Sequence, residues 1–208
     1  MHHNPEDEIS KQLYKLRKYS LNKNTENKKN IYKFAKYVAA IHSQNIDKNN
    51  FKIYDGKWVT KQIHKINDIH KEDIILALEN MSQIEAHNAT LKNFKFLAWD
   101  IVRSDWQKDY QSGNIGSFVW DIACIINFAN NPKCSEIFLE SYLKHGGNKP
   151  SLTALYANVY YIQVFEALKT KEFENLRKTT RKIIEDATFQ TDIISYETLV
   201  KLNIIGYS

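Results

Sequence analysis

The sequence predicts a mainly α-helical protein carrying one small β-hairpin, and three observations lead there. Apolar residues recur at helical spacing in several stretches, as with Ile31, Phe34, Val38 and Ile41. Strict alternation is confined to Phe94 and Phe96 and, beyond a turn near Asp100, to Ile101. Helix punctuation falls where the periodic stretches end: Pro132, Gly146-Gly147 and Ser151.

In chain order, residues 1–30 form a basic leader, partly disordered, in which Ile9 to Tyr19 is a short amphipathic helix and Leu21 to Asn30 a polar linker. Residues 31–208 form the folded part. Ile31 to Ser43 is its first helix, and His42 at its apolar end reads as a structural histidine. Phe51 to Tyr54 and Lys57 to Thr60 are β-prone runs around Asp55-Gly56, the strongest hairpin dipeptide in the chain, with a plain loop as the alternative. Asn67 or Asp68 caps a helix over Lys71 to Ala86, with Ile74, Ile75, Leu78 and Met81 inward. A hairpin follows, Phe94 to Trp99 and Ile101 to Ser104, delivering Asp105-Trp106. Further helices are expected over Phe118 to Asn130, Ser135 to Lys144, from Ser151 onward, over Lys171 to Ala187, and over Ile193 to Ile205.

A hydrophobic content of 43% is enough for a globular core, and 208 residues allow one domain or one lobe of a larger fold. No apolar run reaches the roughly 18 residues of a membrane span, so no membrane partner is expected. The N-terminus has no apolar signal region, and Cys124 and Cys134 are too few for a disulfide framework. Buried free thiols and a cytoplasmic location follow as expectations. The net charge of +5 is concentrated early, because between Lys11 and Lys36 the only acidic residue is Glu26. Such an arm can meet an acidic surface, but it reads as a solvated leader and nucleic acid is not expected as a partner. His64, His70 and His87 are too scattered for a zinc signature.

The chemistry concentrates between Glu85 and Asn127. A polar loop ends at Asn93, a hairpin follows, Asp105 stands at the strand end, and Asp121 lies in the first turns of the next helix. This stretch resembles the C-terminal lobe of aminoglycoside phosphotransferases and their choline-kinase-like relatives, which have a protein-kinase-like fold. Their motif runs H-G-D-x-x-x-x-N, a hairpin, I-D-W-E, then G-D-P-x-x-D-L-A. Asn93 matches the motif asparagine, Ser104-Asp105-Trp106-Gln107 matches I-D-W-E, and GSFVWDIA from Gly116 to Ala123 matches the last block, with Asp121 on its aspartate. The VAAIHS ending at His42 resembles the end of the family's first large C-lobe helix. The resemblance extends over Ile31 to Glu185, with specific motifs only between Asn88 and Ala123.

The resemblance implies a kinase-like C-lobe that binds magnesium with ATP and moves a phosphoryl group onto a hydroxyl of a small molecule or peptide. It places magnesium on Asn93 and Asp105, close enough to share one ion, and gives Asp121 the structural task of holding the loop before it. Two departures bear on activity. Asn88 stands at the position of the family's catalytic aspartate and Ala86 at its histidine, and an amide can orient a hydroxyl but cannot take its proton. With six glycines the chain has no G-x-G-x-x-G and no P-loop, and no room before Ile31 for the family's N-terminal lobe. The expectation is a truncated, catalytically degenerate phosphotransferase-like protein. The alternatives are an active enzyme whose N-lobe comes from a partner protein, or a non-catalytic interaction module. Asp100 and Asp109 read as solvated turn carboxylates.

Overall fold

The computed structural model describes residues 25–45, 52–66, 70–86, 94–102, 105–106, 114–129 and 132–185. Within them the protein is mainly helical, as expected, with a small three-stranded sheet and a two-stranded ribbon.

Helix α1 spans Thr25–His42, so its first turns occupy what was expected to be the end of a polar linker. Glu26, Lys28 and Lys29 are good helix formers, and adding turns to a helix already anchored by Phe34, Val38 and Ile41 costs little. Strand β1, Lys52–Tyr54, follows. The expected Asp55-Gly56 hairpin is absent: Asp55 is the N-cap of helix α2, Gly56–Ile63, its carboxylate accepting the Trp58 N–H at 2.8 Å. An Asp three residues before a free helical N–H is as good a cap as it is a turn former, and packing decides between them. Gly56 faces the Tyr161 ring so closely that a Cβ would lie 2.7 Å from its hydroxyl.

Helix α3, Lys71–Ala86, lies close to its expected bounds. Strand β2, Phe94–Phe96, does not pair with the return strand of a hairpin. It runs antiparallel to β5, Asn114–Ser117, which also takes β1 in parallel, giving the order β1-β5-β2. The hairpin is instead the short ribbon of β3, Trp99–Asp100, and β4, Asp105–Trp106, with Trp99 opposite Trp106 and Asp100 opposite Asp105. Gly116 lets the sheet close: a Cβ there would lie 2.7 Å from the Tyr54 carbonyl oxygen.

Helix α4, Phe118–Ala129, leads into α5, Pro132–Lys144, with proline at the first position where its missing N–H costs nothing. Gly146, at φ 85°, ends α5 in a Schellman turn: its own N–H reaches the Leu143 carbonyl, and the Gly147 N–H reaches Tyr142. Ser151 caps α6, Leu152–Thr170, as expected, its hydroxyl accepting the Ala154 N–H at 3.1 Å. Lys171 closes α6 in the left-handed conformation, so α7 begins only at Glu174 and runs to Glu185. Helix α6 is buried on most of its faces and packs against α2, α3 and α4, while α1 packs along α5. One apolar cluster draws on all seven described helices. Cys124 and Cys134 are free and buried, and burial raises both thiols above their ordinary range. No helix among the described residues is long and apolar enough to cross a membrane.

The expected helices Ile9 to Tyr19 and Ile193 to Ile205 lie outside the described residues, as do Asp109, Asn88 and Asn93.

Candidate functional site

The chain leaves β2 through Leu97 and Ala98 and enters β3 at Trp99. Leu97 still donates to the Asn114 carbonyl of β5 at 3.0 Å, but the ladder cannot run on past it, because the Ala98 and Trp99 amides are taken elsewhere. Asp121, fully buried in the first turn of α4, accepts the Ala98 N–H on Oδ2 at 2.7 Å and the Trp99 N–H on Oδ1 at 3.0 Å. Oδ2 also meets His42 Nε2 at 2.9 Å, and His42 Nδ1 lies 2.8 Å from the Tyr142 hydroxyl. A buried carboxylate is tolerable only when it is hydrogen-bonded, and two backbone N–H groups and His42 Nε2 meet this one. The sheet positions the partners: β5 runs directly into α4, so pairing β5 with β2 brings Asp121 beneath the amides that follow β2.

The next side chain is Asp100. It is half-buried, not the solvated turn carboxylate expected from sequence. Its Oδ1 accepts the Val102 N–H at 2.9 Å, an Asx turn, and the Tyr54 hydroxyl at 3.3 Å. Tyr54 is buried on β1, stacked on Trp120 and tilted against Trp58. From the other side the Lys169 ammonium donates to the Ile101 carbonyl at 3.4 Å and pairs with Glu166 at 3.6 Å. A carboxylate thus stands at a strand end on a backbone held from beneath by Asp121, with Tyr54 and the Asx turn holding its oxygen.

Asp105 is the cross-strand partner of Asp100. No group of three or more His, Cys, Asp and Glu among the described residues could hold a metal ion. Of the three residues the sequence singled out, Asp105 lies on β4, whereas Asn88 and Asn93 lie outside the described residues, so the shared Asn93–Asp105 site does too. The histidine expected to be structural, His42, is 2% exposed with both ring nitrogens bonded.

Asp100 is the residue the sequence reading passed over. A signal was present: Asp100 and Asp105 are five apart, directly after an apolar strand. Tyr54 and Tyr142 carry no local signal, because their roles depend on partners 46 and 100 residues away.

Burial also raises the Tyr142 and Tyr160 phenols above their ordinary range of about 10. Both stay neutral when folded and ionise near pH 10 when unfolded, so the folded state binds more protons and stability falls as pH rises through that value. Urea unfolding is expected to show a lower midpoint at about pH 11 than at about pH 9; an unchanged midpoint contradicts this.

No family model, no curated protein and no solved structure matches this chain.

Proposed function

We propose that the protein is a kinase-like phosphotransferase lobe that transfers the terminal phosphoryl group of ATP to a hydroxyl of a small molecule or peptide in the cytoplasm. The observation that carries this reading is the buried Asp121 carboxylate holding the Ala98 and Trp99 amides immediately before Asp100. The resemblance gives Asp121 the loop before it; the link it holds here is an earlier one, ending on Asp100, and we read that link as the catalytic loop. Asp100 then takes the base position, and Asp105, five residues on, moves from its I-D-W-E match to the place of the motif asparagine in D-x-x-x-x-N, in place of Asn93. The degenerate reading rested on two departures, Asn88 in the base position and the missing N-lobe; a carboxylate at Asp100 answers the first alone. Two free buried cysteines suit a reducing compartment.

In this reading Asp100 accepts the proton of the substrate hydroxyl as that oxygen attacks, and Tyr54 with the Val102 amide fixes its orientation. Asp105 would hold magnesium, which would supply charge neutralisation at the phosphate oxygens. No G-x-G-x-x-G occurs in the sequence, so another chain supplying a nucleotide-covering lobe fits as partner.

Titration of the protein with ATP separates this from a non-catalytic module. Magnesium-dependent nucleotide binding is expected, weakened at least tenfold by Asp105→Ala, about 1.4 kcal/mol. Absence of binding at millimolar Mg-ATP, or binding indifferent to magnesium, overturns it.

A further inference from the structure

The hydrogen bonds beneath Asp100 do not stop at His42, and their direction can be worked out. The turn after α5 brings the Asn148 N–H to the Tyr142 hydroxyl oxygen at 3.3 Å. Gly147 makes this turn possible, because a Cβ there would run into the Tyr142 ring. Tyr142 is fully buried, so its own O–H must find an acceptor, and His42 Nδ1 lies at 2.8 Å. If Nδ1 accepts, Nε2 carries the ring proton, and the Asp121 oxygen at 2.9 Å can only accept it. Each donor along the line therefore has one acceptor: Asn148 N–H to Tyr142, Tyr142 O–H to His42, His42 Nε2–H to Asp121. Ala98 and Trp99 donate to the same carboxylate from the other side. The opposite histidine tautomer would set Nε2 lone pairs against carboxylate lone pairs and leave the tyrosine proton facing another proton.

We propose that Tyr142 is a positioning residue for Asp100: together with the Asn148 amide it fixes the His42 tautomer, and through Asp121 it fixes the backbone that presents Asp100. The relay runs from the turn at residues 145–148 to the β2–β3 link, joining α1, α4 and α5. A packing role alone would be served equally by phenylalanine, since the ring lies stacked on Phe138 and edge-on to His42 whether or not it carries a hydroxyl. The hydroxyl is what the relay adds. The part of this inference that concerns catalysis rests on the proposed function; the part that concerns the backbone does not.

The test is residue-resolved amide hydrogen exchange by NMR on the full chain, wild type against Tyr142→Phe. Protection at Ala98 and Trp99 is expected to fall about tenfold or more while amides in the middle of α6 keep theirs. The His42 ring nitrogens in the wild type are expected to report a proton on Nε2 and an acceptor at Nδ1. Unchanged protection at Ala98 and Trp99, a loss spread evenly over α6 as well, or a proton on Nδ1 overturns the relay. Should Tyr142→Phe fail to fold, Asn148→Pro removes the amide donor at an exposed position while also fixing the local φ, and a smaller loss confined to the same two amides is expected. Mg-ATP binding measured on the same samples keeps the two questions apart. Local loss of protection in a protein that binds no nucleotide leaves the relay standing and the phosphotransferase reading overturned.

Discussion

Replacing Asp121 with alanine is expected to lower the unfolding free energy by roughly 3–5 kcal/mol, the range for breaking a buried charged hydrogen-bond set by removing one partner. The residue is fully buried, and its loss strands three donors: the Ala98 amide, the Trp99 amide and His42 Nε2. Each stranded donor costs about 1–3 kcal/mol when water cannot reach it. Relaxation of the 97–99 backbone toward solvent recovers part of that sum, which is why the expectation sits below three full penalties. Asp121→Asn should cost less, about 1–3 kcal/mol, because the amide oxygen can keep the two donors now on Oδ2 and only the Trp99 bond is replaced by a donor–donor contact. Equilibrium urea unfolding of the three proteins measures both differences. An alanine variant within about 1 kcal/mol of wild type would mean that the carboxylate is not what holds the β2–β3 link.

The helices were legible because each carries its own evidence. Phe34, Val38 and Ile41 mark α1 by spacing, Ser151 marks the start of α6, and Gly146-Gly147 mark the end of α5. These are local signals, and local physics honours them. Asp55-Gly56 shows where such signals fail. The same two residues suit a type I′ turn and a helix N-cap, and the choice fell to Tyr161, more than a hundred residues away, against which Gly56 packs. The strands show it again. Phe94 and Phe96 announce a strand by alternation, but nothing nearby says that its partner is Asn114–Ser117 and not the residues just after the turn. The site inherits this blindness. Asp121 could be read as a loop-holding carboxylate from its resemblance to a motif, yet which loop it holds depended on that pairing. Asp100 therefore looked like one more turn residue until β2 and β5 were placed side by side.

Replacing Asp100 with asparagine is expected to lower phosphoryl transfer by about 10²–10⁴-fold, the usual contribution of a positioned general base, equivalent to roughly 3–5 kcal/mol of barrier. Asparagine is the informative choice. Its amide oxygen can go on accepting the Val102 N–H and the Tyr54 hydroxyl, so the Asx turn and the aromatic stack beneath it survive. The ability to take a proton is then the property removed. Transfer is to be measured at millimolar Mg-ATP, since without a glycine-rich loop the nucleotide is held on fewer sides and a high KM follows. Aminoglycosides, choline and Ser-containing peptides cover the hydroxyl classes the resemblance implies. Asp105→Ala separates the two carboxylates. It should raise the KM for Mg-ATP as well as lower kcat, whereas Asp100→Asn should act on kcat with the KM for Mg-ATP little changed, because a base touches the acceptor hydroxyl and a metal ligand touches the phosphates. Transfer that survives Asp100→Asn undiminished would place the base elsewhere. No product from the wild-type protein above a protein-free control, with every acceptor, would leave the same fold as a non-catalytic module whose Asp121 relay holds a loop without chemistry to perform.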